Sequence, residues 1–354
     1  MKESGYRVVV IGASSLLGKE LLTVIEERGF PISSLKSVED PRVEPELPLI
    51  DFSKGAPEAL DNLAEIPSDF DFAFVAAPND RLGNWLASLN DGPKNSPNPR
   101  VVIDLSSRAL EEEGSDLRIP FLDRLPSSDQ DRSIRHEPRR IVSPHAATIM
   151  VSALMVRLAA RFPIQSAVGH LYSPASEIGP RAIDELQKQT VNLLSFQKVP
   201  QEIFGGQIAF NLLPRLGTPA EQAEPLEGRV RSQVQAYLEN RAPWPALRVL
   251  QVPVFYSLAL SLYVETEERV APADLVAALD GRPLRIRRGS QKPPSQVEAA
   301  GSNEILVDAI EPDSTCPEGI WLWAVADNLR LRALNAAQIA ESLIERRQAL
   351  SLLR

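Results

Sequence analysis

The chain has 354 residues, enough for about two domains, of which 44% are hydrophobic and 24% charged, ordinary globular values. A net charge of −9 argues against nucleic acid or an anionic membrane as the main partner. A single cysteine excludes an internal disulfide and a cysteine-rich metal site, and His136, His145 and His170 show no familiar ligand spacing, so no metal is expected. The N-terminus, MKESGYR, is polar, and the apolar run after it is too short for a signal peptide or a membrane span. A soluble, cytoplasmic protein is the expectation.

Arg7 to Leu22, RVVVIGASSLLGKELL, organises the N-terminal half. Val8 to Ile11 are four β-branched residues in a row and read as a buried parallel strand. Gly12 ends the run, Ser14 and Ser15 are placed to cap a helix, and Leu16, Leu17, Leu21 and Leu22 recur at helical spacing. Gly18 falls where a helix must pass close to a strand. Strand, tight turn and helix in this order form the first unit of a dinucleotide-binding fold, with a pyrophosphate expected at the helix N-terminus. Ser15 stands where a middle glycine belongs and is expected to crowd that pyrophosphate. A second strand is read at Ser34 to Val38, followed by Glu39 and Asp40. Acids there either bond a ribose 2′-hydroxyl, favouring NAD over NADP, or are simply solvated. Strands at Phe70 to Ala77 and Val101 to Leu105, with a helix at Asp80 to Leu89 between them, continue the alternation that implies a parallel sheet.

Asp123 to Arg140 is a charged connector and reads as a domain boundary. Ile141 to His145 leads into an apolar helix, Ala147 to Ala160, whose start is the second candidate site. A strand at Ala167 to Tyr172, helices at Pro180 to Leu194 and Glu227 to Arg241, and the strand-like runs LRVLQVPVF and LALSLYVE follow. Gln207 to Pro214 is apolar without a helical stripe. A short helix at Pro272 to Leu279, strands at Ile305 to Ile310 and Ile320 to Val325, and a helix at Ala333 to Leu353 complete the reading. The second domain therefore mixes helices with a largely antiparallel sheet.

Several blocks resemble the aspartate-semialdehyde dehydrogenase family. Gly12 to Gly18 matches its Gly-Ala-Thr-Gly-x-Val-Gly turn, and AIDEL (Ala182 to Leu186), GQIAFNLLP (Gly206 to Pro214), VPVF (Val252 to Phe255), WAVADNLR and ALNAAQIAE (Trp323 to Glu341) are similar to family blocks. The resemblance implies an α/β fold: a Rossmann-type dinucleotide-binding domain over 1–140, completed by the C-terminal helix 333–354, and an α+β dimerisation domain over 141–332. It also implies a homodimer, and a chemistry in which aspartyl phosphate acylates a cysteine and NADPH reduces the thioester. NAD or NADP would contact Gly12, Ser14, Ser15, Leu16, Leu17, Gly18, Glu39, Asn335 and Gln338.

The same resemblance implies losses. Against the family's Asn-Pro-Asn-Cys-Ser-Thr the chain has Ser143 to Thr148, with Ala146 at the nucleophile, which has no lone pair to attack an acyl phosphate. Gln251 falls at the substrate-gripping arginine, Leu258 at the catalytic histidine, Ser173 at a glutamine, and Leu105 and Leu110 at the asparagine and arginine of the phosphate-side block. Leucine cannot carry a proton. Glu227 and Arg229 are retained on the substrate side, and Thr148 also matches. Cys316 lies outside every active-site block. His145 reads either as a helix cap or as a new acid–base group. The leading expectation is a homodimeric binding or regulatory protein that is not a dehydrogenase and binds NAD or NADP weakly. The alternative is an active NAD(P)-dependent semialdehyde dehydrogenase using non-standard groups. The sequence names neither a small-molecule ligand nor a protein partner.

Overall fold

A computed structural model describes residues 5–38, 58–60, 69–77, 85, 100–106, 116–123, 140–214, 226–287 and 292–352. The chain forms two compact units. The first is built from the chain up to Asp123, the stretch ending at Pro144 and the chain from Arg332 onward; the second is built on His145–Leu331.

The first unit contains β1 (Tyr6–Ile11), α1 (Leu16–Glu27), β2 (Ile32–Val38), β3 (Glu58–Leu60), β4 (Phe72–Val75), β5 (Val101–Asp104), β6 (Asp116–Leu117), the short α2 (Pro120–Asp123) and β7 (Arg140–Val142). Its strands lie in the order β3-β2-β1-β4-β5-β7-β6, every pairing parallel. Val8, Val9, Val10 and Ile11 are all buried, as a central strand covered on both faces requires. Leu17, Leu21, Leu22 and Ile25 form the buried stripe of α1. The strand order reverses between β1 and β4, so their carboxyl ends form the crevice where doubly wound sheets bind ligands.

Two glycines make that crevice possible. Gly12 has φ +79°, and a Cβ on it would collide with Ala77, just past β4. A Cβ on Gly18 would collide with the Gly12 carbonyl oxygen and stand 2.8 Å from the Ala13 Cα. Glu39, Asp40 and Leu110 lie outside the described residues. So does the expected helix at Asp80 to Leu89 except for Trp85, whose ring stacks on Phe70.

The expected boundary at 140/141 is displaced. Arg140–Val142 is a strand of the first sheet, pairing in parallel with β5 and β6, and the division falls between Pro144 and His145. Three residues are too few for an alternation pattern to register, so the run reads from sequence as a lead-in to the next helix.

The second unit contains α3 (Ala146–Ala159), β8 (Ile164–Ser173), α4 (Pro180–Leu194), α5 (Leu226–Leu238), β9 (Ala246–Gln251), β10 (Leu258–Thr266), α6 (Pro272–Leu279), β11 (Leu284–Ile286), α7 (Gln296–Ala299), β12 (Ile305–Pro312) and β13 (Gly319–Ala326). The sheet order is β11-β12-β13-β10-β8-β9, antiparallel from β12 to β8 and parallel at the two outer pairs. On β10, Leu260, Leu262 and Val264 are buried while Ser261, Tyr263 and Glu265 are half-buried, the alternation expected of a sheet with one packed face. Helix α3 is buried at nearly every position and lies against β8, β10 and β13. The last helix, α8 (Asn328–Leu352), starts five residues before the expected Ala333, because the Asp327 carboxylate caps the amides of Leu329 and Arg330 at 3.0 and 2.9 Å.

Gly18→Ala should destabilise the protein by about 1–3 kcal/mol, since the collision is with backbone that cannot swing away. Urea denaturation of the variant against wild type measures it; an unchanged midpoint would show that the turn has room to relax.

Candidate functional site

The first candidate is the turn from Gly12 to Gly18. The Ser15 hydroxyl accepts the Gly18 amide at 3.0 Å and donates to the Gly12 carbonyl at 2.7 Å. Ser15 is therefore the N-cap of α1, its side chain folded into the turn. The hydroxyl is committed to its own backbone, as a capping serine's is. The glycine cradle and the start of α1 at Leu16 and Leu17 remain suited to a phosphate of a dinucleotide. Of the C-terminal cofactor candidates, Asn335 is buried and donates to the Arg118 carbonyl at 3.0 Å and to Ser143 Oγ at 2.9 Å, while Gln338 is half-buried on the same helix. Arg332 donates to the Leu105 carbonyl.

The second candidate is the start of α3. Ala146 is the first residue of the helix and wholly buried. His145 caps it: Nδ1 accepts the Ala147 amide at 3.1 Å. A ring nitrogen that accepts carries no proton, so the proton sits on Nε2, which donates to Glu177 Oε1 at 2.7 Å. The two side chains are 2% and 6% exposed. Glu177 Oε2 accepts from Asn328 Nδ2 at 3.1 Å, and Asn328 Oδ1 accepts from Ser176 Oγ at 3.2 Å and from the Ser257 amide at 3.1 Å. Gln233 of α5 closes the other side, its Oε1 accepting from the His145 amide at 2.8 Å and from Thr148 Oγ1 at 2.9 Å. Of the two readings of His145, the geometry carries the cap. Sequence reasoning missed Glu177, Gln233 and Asn328; no local pattern marks them, because each acts on a residue distant in the chain.

The remaining candidates gather at one end of the six-stranded sheet. Ser173 ends β8 and Gln251 ends β9, paired in register, with Gln251 Nε2 donating to the Ser173 carbonyl at 3.0 Å. Leu258 begins β10 and is buried. Among the described residues, Ser173 Oγ, Gln251 Oε1, Ser257 Oγ and Gln233 Nε2 are buried without a hydrogen-bond partner. Glu227 accepts the Val249 amide at 3.0 Å and the Arg231 guanidinium at 2.9 Å, and so ties α5 to β9; Arg229 is half-buried on α5. Cys316 stands apart from these groups: its amide donates to Asp313 at 3.1 Å, and its thiol pushes the Tyr263 hydroxyl up to about 12 through a hydrogen bond. No group of metal-binding side chains occurs among the described residues. Nor is any helix among them long and apolar enough to cross a membrane.

Together the folds define a two-domain α/β protein: a Rossmann-type dinucleotide unit and an α+β unit. Residues 145–331 match the family model of the semialdehyde dehydrogenase dimerisation domain. The aspartate-semialdehyde dehydrogenase of Aquifex aeolicus is 27% identical over 347 residues, covering 96% of this chain and 98% of the relative. That of Legionella pneumophila is 31% identical, covering 95% of each. The structure of a probable aspartate-semialdehyde dehydrogenase from Pseudomonas aeruginosa superposes with a TM-score of 0.82 at 27% identity, covering 96% of this chain and 98% of that one. The chain belongs to the aspartate-semialdehyde dehydrogenase family.

His145→Ala should destabilise the protein by about 1–3 kcal/mol, because it removes the cap and takes the Nε2–H donor from the buried Glu177. Adding Glu177→Gln should recover more than half of that loss. A double-mutant cycle in denaturant checks the pair, and strictly additive effects would mean the two residues do not act together.

Proposed function

We propose that this chain is a homodimeric binding or regulatory member of its family that does not reduce an acyl phosphate. The observation that carries the reading is the head of α3: Ala146 offers no nucleophilic atom, and both ring nitrogens of neighbouring His145 are committed, one to the helix and one to Glu177. Leu258 at the start of β10 cannot serve as a base, and the neutral Gln251 spends its amide on backbone carbonyls rather than on a carboxylate. The match to a dimerisation domain supports the homodimer.

The assay runs the family's reaction in reverse, with aspartate semialdehyde, phosphate and NADP or NAD, read at the nicotinamide absorbance. No turnover is expected from the purified chain. Ala146→Cys alone should stay inactive, because groups that act as a unit do not restore activity singly. Ala146→Cys with Leu258→His and Gln251→Arg should recover a trace. Robust wild-type turnover would instead support the second reading, an active NAD(P)-dependent semialdehyde dehydrogenase, which the full-length similarity to such enzymes favours. Loss of that turnover in Cys316→Ser would place its chemistry at Cys316.

The turn from Gly12 to Leu17 supports retained but weak dinucleotide binding, since Ser15 already occupies the Gly18 amide. Isothermal calorimetry should find NAD binding no worse than NADP, with both weak. Tight NADP-specific binding would reverse this expectation.

A further inference from the structure

An open cavity of about 640 Å³ lies in the second unit between α6, β12 and the residue that follows β11, and none of its lining residues belongs to either candidate site. Helix α6 buries Leu275, Ala278 and Leu279. The neighbouring stripe of the same helix, Pro272, Ala273, Val276 and Ala277, lines the cavity, and Asp280 continues that stripe one turn further on. These side chains are short, so space remains that longer ones would fill. The opposite wall is β12, where an extra residue between Asp308 and Glu311 breaks the register with β13. Ala309 at this bulge holds left-handed backbone, φ 46°, which residues with a Cβ rarely adopt. Asp308 and Ile310, on either side of it, both line the cavity.

Charges of both signs are held in place around this apolar floor. Asp308 is half-buried, and its Oδ1 accepts the Ala309 amide at 2.8 Å, which fixes the carboxylate at the bulge. One amide does not exhaust a carboxylate, whose two oxygens have about four acceptor sites. Arg287 is anchored at both ends: its amide donates to the Val307 carbonyl at 2.8 Å, and its guanidinium pairs with Glu298 of α7. A guanidinium offers more donors than a single carboxylate accepts. The turn that carries Asp280 is clamped by Arg157 of α3, which donates to the carbonyls of Leu279, Asp280 and Arg282 at 2.9, 2.7 and 2.6 Å. An apolar surface with a few fixed polar groups is the make-up of a small-molecule pocket.

We propose that this cavity binds a free α-amino acid with an apolar side chain. The ammonium meets Asp308, with Asp280 adding negative charge, the carboxylate meets Arg287, and the side chain lies on Val276, Ala277 and Ile310. The charges select this class. An amine without a carboxylate makes no use of Arg287, and a carboxylate without an amine is repelled by two acids. A ligand with both makes two charge-assisted contacts to groups that the fold has already positioned. The cavity is separate from the candidate site, so this inference does not depend on the proposed function.

The test is calorimetric titration of the full chain with L-leucine, and with three analogues that each lack one recognised part: isoamylamine, 4-methylpentanoate and glycine. Leucine should bind saturably, and each analogue should bind about tenfold more weakly or worse. This series runs on wild type and needs no variant to fold. Asp308→Asn keeps an oxygen for the Ala309 amide, so the bulge should stand while leucine affinity falls about tenfold. Ala277→Trp fills the cavity from an exposed position of α6 and should abolish binding. Both variants should melt as wild type does. Failure of leucine to saturate in the millimolar range would overturn the proposal. So would leucine binding that neither substitution changes, since that would place the ligand elsewhere. Isoamylamine binding as tightly as leucine would overturn the assignment of a carboxylate to Arg287.

Discussion

A single imidazole joins the start of helix α3 to a buried carboxylate in the second unit. Helix α3 is apolar almost all round, so its buried start is the one place where backbone amides need partners they cannot find within the helix. His145 supplies one through Nδ1 and turns its other nitrogen to Glu177. Glu177 then reaches Asn328, which gathers Ser176 and the Ser257 amide. Remove the ring and the helix start loses a cap while the buried carboxylate loses a donor.

The same economy recurs in the first unit. Ser15 answers the Gly18 amide with its own hydroxyl, so α1 also begins on an internal cap. Helix N-termini are attractive places for anions because their amides are unclaimed and their dipole favours negative charge. Where a side chain claims an amide, the helix gains stability and the ligand loses a donor. Both helix starts show this trade.

The regular framework was legible in the sequence. Strand β1, helix α1 and the full extents of α4 and α6 follow from β-branched runs, helical spacing and a proline at each later helix start. Very short elements such as β3, β6 and β11 were not legible, since two or three residues carry no period. The polar wiring was equally hidden. His145 meets Glu177 across 32 residues and Gln233 across 88, and Asn328 meets Glu177 across 151, so their roles exist only once the chain is folded. Ser15 reads from sequence both as a cap and as an obstacle, and only the folded rotamer shows its hydroxyl in the cap.

Loops are ordinarily where a lineage tolerates length changes, because their backbone answers mainly to water. The segment from Pro200 to Ala209 is different, since five of its amides and two of its carbonyls bond to Glu185 and Gln189. One inserted residue would throw that matching out of step, as a slipped register does in a sheet. Among descendants of this sequence, the loop should change in its outward side chains while keeping its length, and α4 should keep an acid and an amide one helical turn apart.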